Sequence, residues 1–180
     1  MSGEELLSYL GIRIYKKPLS NIRQQSNWPN LNSPLHVAVL LIDFDTEVCM
    51  NGILGFLENS TGAYFNQTID ACNLIGAKTT AQTMQQIHDT MAKHKISHHR
   101  LREPHKNTTE YQITSFAELH GSQLKTFANE VCEIAHRLYI YDSLKQSPWP
   151  SLEGYLAEHK AAILAEIEQI EKKPVHDSVE

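Results

Sequence analysis

Ten histidines are the residues best equipped to do chemistry. His94 and His98 stand four apart, the spacing that turns two imidazoles toward a divalent metal from one helical face. The pattern goes no further: no HExxH glutamate accompanies them, and the helix carrying His94 ends by its periodicity near Lys95. A solvated basic loop is the simpler reading, so no metal is expected. His88 and His159 fall on apolar seams, where a hydrogen-bonded core histidine is the common outcome. Cys49, Cys72 and Cys132 form no CxxC pair and lack the adjacent base or glycine-rich turn that would mark a thiolate nucleophile, so they read as reduced filler. No GxSxG, P-loop or dinucleotide fingerprint occurs, and no cofactor is expected. Catalysis is therefore not expected, and the enzyme reading that stays open is a metal-dependent one built on the His-rich segment.

The carboxylates are distributed more tellingly. Between His36 and Ile75 the chain carries Asp43, Asp45, Glu47, Glu58 and Asp70 and no Lys or Arg, whereas Gly76 to Lys106 holds six bases, two acids and five histidines. On a helix, positions 43 and 47 share a face and 45 does not, so these acids make a poor three-carboxylate chelate. They are either the wet face of a helix or a negative patch that steers a basic protein into contact. The net charge of −5 argues against nucleic acid as a direct partner, because neutralising phosphates needs a basic face. No stretch approaches the roughly 20 apolar residues of a membrane span. The acidic start Met1-Ser2-Gly3-Glu4-Glu5 does not look like a secretion signal, so a cytoplasmic location is expected.

The elements that position these residues read as helices. A short one from Glu4 to Leu10 is stopped by Gly11, and a connector follows through Pro34. Leu35 to Leu57 reads as one long buried helix, because about twenty residues without a turn exceed a usual strand. Asn59 to Gly62 makes a turn, and a short helix from Phe65 ends at Gly76 as its C-cap. Thr79 with Gln82 suggests a capping box for a helix on Ala81, Met84, His88 and Met91. Ile96 to Thr114 reads as a surface loop. Ser115 with Glu118 opens another box, Gly121 interrupts, and Phe127, Val131, Ile134, Leu138 and Tyr141 form a seam. A last helix runs from Ser151 to Glu171, ended by Pro174. The expected fold is mostly α, a single-domain bundle of about five to seven helices, with residues 1–34 packed on a domain of 35–173 and a frayed tail at 174–180.

Within this frame, Glu47, Gly52, Phe56, Asn59, Ser60, Gly62 and the run Ile75-Gly76-Ala77 have a recognisable order and spacing. The segment resembles the bacterial DNA-mimic protein C-terminal domain family, with Met50, Asn51, Ile53 and Gly55 departing from its pattern. The family's described member is an acidic helical protein that occupies a transcription factor's DNA-binding surface, so the resemblance implies a helical fold and a protein partner. Physically the motif reads as structural: Gly52 and Gly55 would let helices approach, and Asn59 and Gly62 would build a turn. The resulting expectation is a non-enzymatic protein-binding regulator whose acids at 43, 45, 47, 58 and 70 meet a basic partner, either a transcription factor or a toxin. An immunity protein neutralising a co-encoded bacterial toxin is the alternative. Tyr139, Tyr141, Trp149 and Tyr155 suit a self-association surface, hence a homodimer, as well as they suit a core.

Overall fold

The computed structural model of the chain describes residues 1–103, 115–141 and 147–172, and among them there is no strand. The α-helices are α1 (Gly3–Arg13), α2 (Pro34–Glu58), α3 (Phe65–Leu74), α4 (Lys78–Lys93), α5 (His98–Arg102), α6 (Phe116–His120), α7 (Lys125–Ala135), α8 (Trp149–Glu158) and α9 (Lys160–Lys172). The mostly-α expectation holds, with more helices than expected. The stretch read as a loop contains α5, the Gly121 break sets α6 apart from α7, and the final helix is two. By its internal contacts the chain falls into two units, Met1–Ile42 with 149–180, and Asp43–Pro148.

In the first unit, Ser2 and Glu5 form a reciprocal capping box that satisfies the opening amides of α1. Leu6, Leu10 and Ile14 are fully buried. Gly11 does not stop the helix, since one glycine costs only about 1 kcal/mol and tertiary packing overrides it. α1 packs along α8, so closely that a Cβ on Gly3 would lie 2.0 Å from the Glu153 carbonyl oxygen. Leu152 and Leu156 of α8 and Ile163 and Ile167 of α9 are buried, and His159 separates the two helices. Lys160 Nζ donates to the Met1 carbonyl at 2.8 Å, and Arg13 pairs with Glu171. The expected connector is partly core, because a 3-10 turn at Leu19–Gln24 buries Leu19 and Ile22.

In the second unit, α3 ends in a Schellman motif. The amide of Gly76 bonds to the Asn73 carbonyl at 3.0 Å and that of Ala77 to the Cys72 carbonyl at 2.8 Å, which is the 5→2 and 6→1 pair of that cap. The chain leaves this cap directly into α4, whose N-cap is Ala77 without a side-chain bond. The expected Thr79 box therefore does not form. α4 ends the same way, with Ile96 bonding back to Met91 and Lys95 to Ala92, and Lys95 takes the left-handed position at φ 54°. Ile96 and Leu101 are buried, and Ser97 caps α5, so the expected loop is ordered helix over its first part. Its remainder, like Pro174 and the tail, lies outside the described residues. The Ser115–Glu118 box is present at α6, and Gly121 ends that helix at φ 68°. α3 packs on α4 and α4 on α7 around a core that includes Phe44, Phe56, Phe65, Met84, Ile87, Phe127, Val131 and Leu138.

Candidate partner-binding surface

The five acids do not share one surface: two are buried, two are half-buried and held by hydrogen bonds, and one is exposed. Asp43 and Glu58 are buried, which removes both from any protein-facing patch in this conformation. Glu58 meets His120 of α6, Oε1 to Nε2, at 2.6 Å, and His120 packs at a tilt against Phe116 with ring centroids 4.4 Å apart. Asp45 is half-buried and accepts the Tyr139 hydroxyl. Burial pushes its carboxyl above the usual range, while hydrogen bonds from Tyr139 and Cys49 pull the other way. The Tyr139 phenol is itself pushed up, chiefly by burial and then by the bond to Asp45, so it stays a neutral donor. Glu47, also half-buried, accepts Asn51 Nδ2 at 3.0 Å and Asn59 Nδ2. Asp70 stands exposed on α3. Tyr139, Asn51 and Asn59 are uncharged donors, so their bonds to Asp45 and Glu47 leave the negative charge uncancelled.

The motif residues turn out to be turn-builders. Gly52 interrupts α2 at φ 68°, ψ 179°, a region essentially closed to residues with a side chain. It was expected to permit close helix packing; its work is to break the helix. The amide of Ile53 accordingly donates to Tyr141 Oη at 2.9 Å. Gly62 is the true close approach, since a Cβ there would lie 2.4 Å from the Phe56 carbonyl oxygen and 2.9 Å from that of Leu57. A Cβ on Gly55 would meet only the Asn51 side chain. The Asn59 carbonyl accepts the Gly62 amide at 3.1 Å and His98 Nε2 at 2.9 Å, while its side chain ties back to Glu47. Phe56 is fully buried against Phe44, and Ser60 opens the 3-10 turn Ser60–Tyr64. With the C-cap at Ile75-Gly76-Ala77, every position of the motif has a structural task. A family model described as DMP19-like protein matches residues 29–159. The chain belongs to the DMP19-like family. This is the DNA-mimic family that the motif resembles, and its match extends well beyond the motif on both sides. No curated protein and no solved structure matches the chain.

In this DMP19-like chain the histidines are used locally. His94 caps the C-terminus of α4 and meets Glu130 at 3.1 Å, beside Lys93 at 2.8 Å from the same oxygen. The two bases hold the Glu130 carboxyl below its usual range, Lys93 foremost. His98 points to Asn59, so the pair spaced four apart does not converge. Among the described residues no group of three His, Cys, Asp or Glu is placed to hold a metal. His88 and His159 are half-buried beside Phe65 and Tyr155. Cys72 is buried and its thiol is pushed up to about 12 by that burial, whereas Cys49 is exposed and Cys132 half-buried. Burial also pushes both of those thiols up, each helped by a nearby carboxylate. A cavity of about 420 Å³ opens beside His99, Arg100, His120 and Gln123, and one of about 320 Å³ beside Phe65, His88, Met91 and His98. Of the aromatic set, Tyr139, Trp149 and Tyr155 are half-buried, and Tyr141 is exposed. Among the described residues no helix is long and apolar enough to cross a membrane.

Proposed function

We propose that the chain is a non-enzymatic, protein-binding regulator that acts as a DNA mimic, occupying the DNA-binding surface of a basic partner in the bacterial cytoplasm. Membership of the DMP19-like family across residues 29–159 carries this reading. Side-chain chemistry supports it: Asp45 and Glu47 accept from the neutral donors Tyr139, Asn51 and Asn59 and Asp70 is exposed. A hydrogen bond from an uncharged group fixes a carboxylate's position without cancelling its field. The working set is Asp45, Glu47 and Asp70, with Asp43 and Glu58 assigned to the interior.

A mimic and duplex DNA must exclude each other from the partner. The test is to capture a partner on the purified protein and then titrate the complex with duplex DNA at low and moderate salt. The expected result is a DNA-binding protein that DNA displaces competitively, with affinity for the chain falling steeply as salt rises. Formation of a ternary complex, or a captured partner with no affinity for DNA, would overturn the reading. Asp70→Asn, on an exposed site, should weaken binding without altering the fold.

A further inference from the structure

In the first unit, His36 sits near the start of α2 with a relative exposure of 1%. The backbone amide of Asn30 donates to its Nδ1 at 3.0 Å. A ring nitrogen that accepts an N–H carries no proton, so the neutral ring holds its hydrogen on Nε2. Nε2 faces Glu166 Oε1 of α9 at 3.6 Å, while Glu166 Oε2 accepts the Ser33 hydroxyl at 2.7 Å. Ser33 Oγ in turn accepts the His36 amide at 3.1 Å. The Trp28 ring covers the imidazole with centroids 5.1 Å apart. The ring therefore ties the 28–33 segment to α2 through an acceptor that exists only while Nδ1 is unprotonated.

We propose that His36 is a pH-sensitive latch: uptake of a second proton at Nδ1 expels the Asn30 amide and releases the 28–33 segment from α2. Protonation would set two N–H groups face to face at the present 3.0 Å separation, replacing a bond with a repulsion. The charged group facing the ring is Glu166 from α9; the 28–33 segment contributes the Trp28 ring and the Asn30 amide to the imidazole and the Ser33 hydroxyl to the His36 amide. Burial holds the imidazole below its ordinary 6.5, and Glu166 opposes that effect without overcoming it. For a histidine held neutral, the folded chain binds fewer protons than the unfolded one. The contribution to stability is thus complete above 6.5 and is lost as pH falls below it.

Trp28 reports the event, with Trp149→Phe leaving it as the remaining tryptophan. Its emission should change in a single-proton step with a midpoint below 6.5, and His36→Gln should abolish the step. Glu166→Gln removes the carboxylate that favours the charged ring and should move the midpoint further down, a shift that a merely structural role would not produce. Nitrogen chemical shifts of His36 in the intact chain should show the Nε2–H tautomer at neutral pH. A neutral ring protonated on Nδ1, a midpoint at or above 6.5, emission unchanged down to pH 4, or the same step in His36→Gln would each overturn the latch.

Discussion

Two glycines in helices of this chain should respond in opposite senses to the same substitution. Gly52→Ala places a methyl group at φ 68°, ψ 179°, where a residue with a Cβ is strained by about 1–3 kcal/mol. The new Cβ would also stand 3.2 Å from Tyr141 Oη, tighter than ordinary contact, and displacing that hydroxyl weakens its bond to the Ile53 amide, worth about 1 kcal/mol. Together these give a loss of roughly 2–4 kcal/mol, which for a chain of this size lowers Tm by roughly 5–15 °C. Gly11→Ala, in an exposed turn of α1 with nothing within 4 Å of the added Cβ, should instead gain about 0.5–1 kcal/mol from helix propensity. Urea unfolding of both variants beside the parent protein measures the difference. In a Tyr141→Phe background the Gly52→Ala loss should shrink by about 1 kcal/mol, because the hydrogen-bond part is already gone. If Gly52→Ala proves neutral, or stabilises as Gly11→Ala does, α2 is unbroken at that position and the reading of the motif fails.

Gly62→Ala should be at least as damaging, because its Cβ would meet backbone oxygens of Phe56 and Leu57 that can move only by unmaking the end of α2; a loss of about 2–4 kcal/mol is expected by thermal unfolding. Lys95→Gly should be stabilising by up to about 1 kcal/mol, since it relieves a side chain held at φ 54° at a C-cap that favours glycine; a lowered Tm would show that the Lys95 side chain is needed there. Asp45→Asn should stabilise the fold at neutral pH. The Asp45 carboxyl lies above its ordinary 3.8 because of burial, so the folded state binds the extra proton and stability falls as pH rises from 3.8 through the raised value. The gain from Asp45→Asn should vanish in unfolding curves taken below that window, and the same variant should bind the partner less well.

The helical character, the seam of α4, the Phe127–Val131 part of the α7 seam, the caps at Gly76 and Ser115 and the break at Gly121 were legible because each rests on neighbours within a turn or two. The α7 seam expected to run on to Tyr141 stops early, since the helix ends at Ala135 and Tyr141 is exposed. The break at Gly52 was not legible: a glycine inside an apolar run gives no local sign of its φ, and the hydroxyl that takes up the Ile53 amide lies 88 residues beyond Ile53. The fate of the acids was hidden for the same reason. Tyr139 lies 94 residues from Asp45 and His120 lies 62 from Glu58, so a base-free run that looks like one charged face is parcelled out among distant partners. Thr79 was misleading because the cap before it starts α4 at Lys78, which puts Thr79 inside the first turn and not at the N-cap position a box requires. Likewise Ile96 and Leu101 are single apolar residues in a basic stretch, too few to show a period, yet both are buried.

The division of the chain also bears on its synthesis. Asp43–Pro148 is one uninterrupted stretch, while the other unit joins Met1–Ile42 to residues beyond 149, with α1 packed along α8. During translation α1 emerges long before α8, so the packing along α8 that helps bury Leu6 and Leu10 forms late. The contiguous unit can close as it is translated. Until α8 is made, the apolar side of α1 lacks that cover, and it is there that a chaperone would find the growing chain most open, whatever the stability of the finished fold.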